Sequence, residues 1–118
     1  MMQQQELAGA GLRGPFQLAS DAIEEELVDR CPGTYALGFV DHLGRFAITY
    51  VGSAGEDLKS KLKAHIGTAT QFKFRHFADE RQAFEKECEI FHKFMPNGNI
   101  LHPSRPRGTD WTCPKCRR

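Results

Sequence analysis

A short turn in the middle of the chain joins two segments that both read as β-strands. The turn, Asp41-His42-Leu43-Gly44, is rich in the residues that close hairpins. A direct connection of this kind fixes which residues of the two strands oppose each other, and it places two tyrosines side by side on one face of the sheet. The predicted hairpin covers about residues 34–40 and 46–51, with the opposed pairs Tyr35 and Tyr50, Leu37 and Ile48, and Phe39 and Phe46.

Each of these tyrosines has a glycine close to it in the sequence. The strings are Gly33-Thr34-Tyr35 in the first strand and Tyr50-Val51-Gly52 in the second. Glycine in a strand lets another backbone or a ligand approach closely. Two phenols at the open end of a hairpin could therefore handle a proton or a phosphate, and filling of the core is the alternative interpretation.

Helical and strand periodicities on both sides of the hairpin favour an α/β or α+β fold. We expect a small three-stranded antiparallel sheet flanked by helices, and a poorly ordered segment over residues 1–18, which are rich in glutamine and glycine. The predicted elements are, in order, a short acidic helix from Ser20 or Asp21 to about Asp29, the hairpin, a helix over 56–66, a strand over 71–77 and a helix over 78–94.

With 118 residues, the chain is long enough for one domain. We divide it into an N-terminal extension (1–31), a core (32–100) and a cysteine-containing tail (101–118). Residues 1–30 carry six acidic and two basic side chains, whereas residues 102–118 carry five basic and one acidic. The basic tail could contact a polyanion, or it could simply be solvated.

The sequence predicts an intracellular, cytoplasmic protein with no membrane partner. No run of residues approaches the roughly 18 apolar residues of a membrane span. The start, Met1-Met2-Gln3-Gln4-Gln5-Glu6, lacks a basic region followed by an apolar one. The four cysteines are too few and too unevenly spaced for a secreted disulfide framework, so we expect reduced thiols.

One carboxylate of the last predicted helix is directed toward the core. On a helical projection, Ala83, Ile90, Phe91 and Phe94 span the apolar face and Glu87 falls between them. Burial of an unpaired carboxylate is costly, so the group must protonate, bind a metal or pair with a cation. A structural ion pair with a basic residue of the neighbouring helix is the alternative to a functional role.

The helix predicted over residues 56–66 carries a basic pair beside its apolar stripe. Lys61 and His65 are four residues apart and share one face, next to Leu58, Leu62 and Ile66. The lysine could hold a phosphate and the imidazole could transfer a proton. Solvated surface residues are the alternative interpretation.

The tail contains half of a four-ligand zinc site. Cys113 and Cys116 have the spacing of one ligand pair, and His102, His92 or Cys31 could complete a tetrahedral set. A redox dithiol is the weaker interpretation, because no helix follows the pair to lower a thiol pKa.

The same tail places one tryptophan among basic residues. Trp111 could stack on an unpaired base while the cations follow a nucleic-acid backbone, or it could pack the tail onto the domain. The basic residues are Arg105, Arg107, Lys115, Arg117 and Arg118.

Over about residues 32–100, the paired tyrosines, the basic pair of the following helix and the glutamate of the last helix together resemble a known domain. It is the GIY-YIG nuclease domain of intron homing endonucleases and of the incision subunit of bacterial nucleotide-excision repair. Tyr50-Val51-Gly52-Ser53-Ala54 is close to the second motif of that family. Thr34 stands where the family usually has isoleucine, and Lys61 stands where it typically has arginine, with Lys59 a weaker candidate for that position. The matching positions are Tyr35, Tyr50, Lys61, His65 and Glu87, with Asn97 or Asn99 near the place of a late asparagine.

The resemblance implies a DNA endonuclease that hydrolyses phosphodiester bonds with Mg²⁺ or Mn²⁺. In that reading Glu87 is the metal ligand, Lys61 contacts phosphate and one of the two tyrosines activates water. Because no accessory recognition domain is evident, a protein partner could supply specificity. The alternatives are a nucleic-acid-binding module with this fold that has lost cleavage, for which Lys61 in place of arginine is the warning, and a protein-interaction domain.

Overall fold

The computed structural model describes residues 11–99 and 102–116, which form one four-stranded sheet and three helices. The strands are arranged in the order β1-β4-β2-β3, and every neighbouring pair is antiparallel. The predicted antiparallel sheet flanked by helices is confirmed, but it has four strands and not three. The elements are β1 (Arg13–Gln17), α1 (Ser20–Glu26), β2 (Gly33–Val40), β3 (Phe46–Ala54), α2 (Leu58–Ala64), β4 (Gln71–His76) and α3 (Glu80–Phe94).

The additional strand, β1, lies within the segment predicted to be poorly ordered, so that prediction is wrong for residues 11–18; residues 1–10 lie outside the described part. Phe16 of β1 pairs with Phe72 of β4, and the two ring centroids are 5.6 Å apart. Gly14 and Pro15 interrupt the alternation where the register of β1 shifts. Proline is tolerated there because β1 is an edge strand.

The hairpin forms as predicted, but its register is wrong. Tyr35 pairs with Gly52 and Leu37 pairs with Tyr50. Asp41 lies opposite Arg45 in the turn, and an irregularity at Thr49 adds one more residue to β3. The combined shift is two residues, which leaves both tyrosines on the same face as neighbours along a diagonal.

Helices cover both faces of the sheet. Leu58 and Leu62 of α2 are buried in the core on the face that carries Tyr35, together with Ile23 of α1. On the opposite face, Ile90 of α3 packs with other buried apolar side chains, namely Leu12, Ala36, Val51 and Phe91.

Two residues assigned to apolar stripes lie at the surface. Ile66 follows the end of α2 and is 43% exposed, and Phe94 ends α3 and is 38% exposed. Both helices begin as capping chemistry predicts, with the Asp57 and Asp79 side chains accepting hydrogen bonds from backbone N–H groups.

Within the part of the chain that the structure describes, no helix has both the length and the apolar character needed to cross a membrane.

Candidate active site

Three aromatic side chains predicted to act together meet beside the edge strand β3. They are Tyr35 of β2, Tyr50 of β3 and His65, which caps the C-terminal end of α2. The two tyrosine ring centroids are 6.3 Å apart, and the His65 ring lies 5.3 Å from Tyr35 and 5.5 Å from Tyr50. The structure therefore brings the hairpin and α2 together at one place.

Tyr35 is fully buried, and its hydroxyl oxygen lies 2.8 Å from His65 Nε2. Burial raises the pKa of Tyr35, and the nearby Tyr50 and Glu87 raise it further. Burial also lowers the pKa of His65, as does the charge of Lys61. A protonated phenol therefore donates to a neutral imidazole, which holds the His65 ring in place.

Gly52 leaves the space that the Tyr35 side chain occupies. It faces Tyr35 across the β2–β3 pair, and a Cβ atom at this position would overlap the tyrosine hydroxyl and ring. Any larger residue would displace the phenol from His65.

Tyr50 has a different environment from Tyr35. It is half-buried and lines an open pocket of about 370 Å³. Glu87 and Asn99 line the same pocket, together with the start of the tail, His102-Pro103-Ser104. Tyr50 is therefore the tyrosine that a ligand in this pocket can reach.

Glu87 projects from α3 into this pocket and is half-buried, with Oε1 accepting a 2.6 Å hydrogen bond from Ser53 Oγ. Burial raises the pKa of Glu87 to about 7, although the hydrogen bond from Ser53 and the charges of Lys61 and His102 act to lower it. No ion pair joins Glu87 to a lysine or arginine among residues 11–99 and 102–116. The structural ion pair considered as an alternative is thus not found there. A half-buried carboxylate that forms no direct ion pair with these residues and opens onto a pocket suits a hard cation such as Mg²⁺.

The two candidate lysines of α2 differ in availability. The Lys59 ammonium is held by Glu24 at 3.0 Å and Asp29 at 2.7 Å. Lys61 is exposed, and its charge acts on Glu87 and His65. Lys61 is therefore the lysine that can contribute charge to the pocket.

Of the two candidate asparagines, Asn99 lines the pocket and Asn97 is exposed. The Asn99 side chain forms two hydrogen bonds with the backbone of Val51, accepting at 2.7 Å and donating at 2.9 Å. The backbone N–H of Gly98 also donates to the Thr49 carbonyl at 2.7 Å. These bonds attach the loop after α3 to the free edge of β3, so Asn99 builds the pocket wall.

The tail residues fall into two groups. Arg105, Arg107 and Lys115 are exposed. Trp111 is half-buried, with its ring centroid 6.5 Å from that of Phe84, and this contact favours the interpretation that it packs the tail onto the domain. Arg117 and Arg118 lie outside the described residues.

Of the candidate zinc ligands, four come together. One ligand atom from each of His92, His102, Cys113 and Cys116 lies within 4.8 Å of the others. Cys31 is not in this group and lies beside α2, where its carbonyl accepts from the Leu58 N–H.

Two residues that act on Glu87 were missed by the sequence reasoning, namely Ser53 and His102. Ser53 follows Gly52 on β3, and strand alternation directs it toward α3 and away from Tyr50. That alternation could have identified it as the partner of Glu87. His102 was considered only as a zinc ligand, and its position in the pocket wall depends on how the tail folds back.

The raised pKa of Glu87 predicts a pH-dependent stability for the metal-free protein. The pKa rises from 4.5 to about 7 on folding, so the folded state favours the protonated carboxyl. The stabilisation is full below pH 4.5 and is lost as the pH rises through 7. The contribution of this group to the free energy of unfolding should fall by roughly 3 kcal/mol over that window.

Denaturant titrations at several pH values, without divalent metal, measure this loss. The free energy of unfolding should fall more steeply with rising pH in the wild type than in Glu87→Gln, because the variant has no carboxyl to titrate at this position. Equal slopes would show that Glu87 does not titrate in this way.

No protein-family model matches the sequence, and comparison with curated proteins finds no match. Among solved structures, the chain is similar to the crystal structure of the GIY-YIG N-terminal endonuclease domain of UvrC from Thermotoga maritima, which is bound to its catalytic divalent cation, magnesium. The TM-score is 0.53 at 21% sequence identity, and the match covers 66% of this chain and 96% of that chain. The chain therefore has a GIY-YIG-like fold, as the resemblance predicted.

Proposed function

We propose that the chain is a divalent-metal-dependent endonuclease that hydrolyses phosphodiester bonds in DNA. The observation that carries this proposal is the shared pocket of Glu87 and Tyr50. It combines an accessible phenol with a half-buried carboxylate that forms no ion pair with a described lysine or arginine. The similar UvrC domain binds a catalytic magnesium ion, which supports the same chemistry for this pocket.

In this proposal Glu87 binds Mg²⁺ or Mn²⁺ through a carboxylate oxygen, and Ser53 orients that carboxylate through its 2.6 Å hydrogen bond. When bound, the cation supplies electrostatic stabilisation of the charge on the phosphate and the leaving oxygen. Lys61 adds a second positive charge from α2. Lysine acts as a point charge, so it contacts phosphate without the planar fork of arginine.

Tyr50 has the role of orienting the attacking water, because it is the phenol that lines the pocket. It accepts the proton of that water as the phenolate, after its own hydroxyl proton has passed to solvent. Tyr35 and His65 have positioning roles. Their 2.8 Å hydrogen bond uses Nε2, the acceptor nitrogen of the neutral imidazole, and holds the His65 ring beside the Tyr50 ring. Exposed Arg105, Arg107 and Lys115 of the tail are proposed to contact DNA phosphates.

The metal requirement of the wild-type chain tests this function. Labelled single-stranded, duplex, nicked and branched DNAs are incubated with Mg²⁺, Mn²⁺ or EDTA. We expect cleavage of at least one substrate with either metal and none with EDTA, because the metal-free pocket lacks the positive charge needed at the scissile phosphate.

DNA affinity measured over a range of salt concentrations serves as the companion assay. Salt-dependent binding without cleavage of any substrate would favour the non-catalytic nucleic-acid-binding module. Absence of both binding and cleavage would favour a protein-interaction domain.

A further inference from the structure

We propose that His92, His102, Cys113 and Cys116 bind one structural Zn²⁺ ion that fastens the C-terminal tail to α3. This site uses different ligands from the proposed magnesium site at Glu87, and it does not depend on nuclease activity. His92 belongs to the last turn of α3, whereas the other three residues belong to the tail. The ion would therefore join the end of α3 directly to the tail.

The spacing of the four ligand atoms suits a tetrahedral zinc ion. Zinc bonds of about 2.0 to 2.3 Å to nitrogen and sulfur place the ligand atoms roughly 3.3 to 3.8 Å apart. The two histidine Nε2 atoms are 3.1 Å apart, and Cys116 Sγ is 3.4 Å from His102 Nε2. All four ligand atoms lie within 4.8 Å of one another, so binding requires only small side-chain movements.

The surroundings of these ligands have the features of a zinc site. His102 Nδ1 lies 2.9 Å from the Pro103 carbonyl, and donation to that oxygen leaves Nε2 as the metal-binding nitrogen. The Lys115 backbone N–H donates to Cys113 Sγ at 3.4 Å, which suits a thiolate.

Apolar side chains cover the inner side of the cluster. Cys113 is buried against Phe84 and Cys88, and the Phe91 ring meets the ring of His102 edge-on at 5.3 Å. Cys116 is exposed at the outer side, which gives the ion a route of entry.

The site also has a consequence for the pocket. His102-Pro103-Ser104 lines the pocket that holds Glu87 and Tyr50, and His102 is a proposed zinc ligand. A tail held by zinc would keep this wall in place. Loss of zinc would release the wall without removing either Glu87 or Tyr50.

Metal content and cobalt spectroscopy of the full chain test the proposal. The reduced protein is refolded with Zn²⁺ and measured by native mass spectrometry, with Cys31→Ser as the matched control because this thiol lies outside the cluster. We expect one zinc ion per chain in the wild type and in Cys31→Ser, and its loss in Cys113→Ser and Cys116→Ser.

Cobalt titration into the wild type does not depend on a variant that folds. We expect the intense visible bands of tetrahedral Co²⁺ together with thiolate-to-cobalt charge-transfer bands, and displacement of both by Zn²⁺. Chelator should lower the Tm, and Zn²⁺ but not Mg²⁺ should restore it. The proposal would be overturned by zinc content that is equal in Cys113→Ser and Cys31→Ser, by an octahedral cobalt spectrum, or by a Tm that chelator leaves unchanged.

Discussion

Replacement of Glu87 by glutamine is expected to abolish metal-dependent DNA cleavage, with a fall in rate of more than about 10³-fold. Glutamine has nearly the same size and can still accept the hydrogen bond from Ser53, but it has no charge with which to hold a divalent cation. Because burial disfavours the ionised Glu87, the variant should be as stable as the wild type or more stable. Single-turnover cleavage and thermal unfolding, measured on the same preparations, check both parts.

Glu89→Gln is the matched control for this substitution. Glu89 lies on the same helix, but it pairs with Lys86 at 3.2 Å and is absent from the lining of the Tyr50 pocket. We expect this variant to cleave at the wild-type rate. If Glu87→Gln retained wild-type cleavage, the carboxylate would not be the metal ligand, and its burial beside Ser53 would be structural only.

The elements of the fold could be predicted because their patterns are local. The hairpin turn marked β2 and β3, period-two alternation marked β4, and helical spacing placed Glu87 on the inner side of α3. The register of the hairpin could not be predicted in the same way. One residue of the shift arises at the turn, where Asp41 lies opposite Arg45, and the other at Thr49, and neither leaves a signal in the neighbouring sequence. Strand β1 was missed because Gly14 and Pro15 interrupt an already short strand, which forms by pairing with the distant β4.

In the candidate site, too, local patterns predicted some residues, whereas other contacts depend on tertiary structure. Tyr35, Tyr50 and His65 converge because each lies on a predictable face of a predictable element. The surroundings of Glu87 depend instead on tertiary placement, since Ser53 approaches it from β3 and the wall at His102 comes from the tail. The cluster at the tail cysteines contains His92 and not Cys31 because the tail packs against α3. No local sequence pattern indicates which helix the tail contacts.

The two tyrosines are expected to respond differently to loss of the hydroxyl group. Tyr50→Phe should lower kcat by about 10²-fold or more, because it removes the phenol that faces the pocket. DNA affinity should be unchanged, since the ring remains in place. Tyr35→Phe should retain activity within about tenfold and instead lose about 1 kcal/mol of stability, because its buried hydroxyl mainly serves the hydrogen bond to His65.

Measurement of kcat, DNA affinity and the free energy of unfolding for both variants separates these roles. A catalytic phenol changes kcat alone, whereas a positioning phenol changes stability and, through His65, the pH profile of cleavage. The opposite result, with a larger loss of kcat in Tyr35→Phe than in Tyr50→Phe, would exchange the two assignments. The proton would then pass from Tyr35 directly to His65 Nε2, the atom already within 2.8 Å of its hydroxyl oxygen.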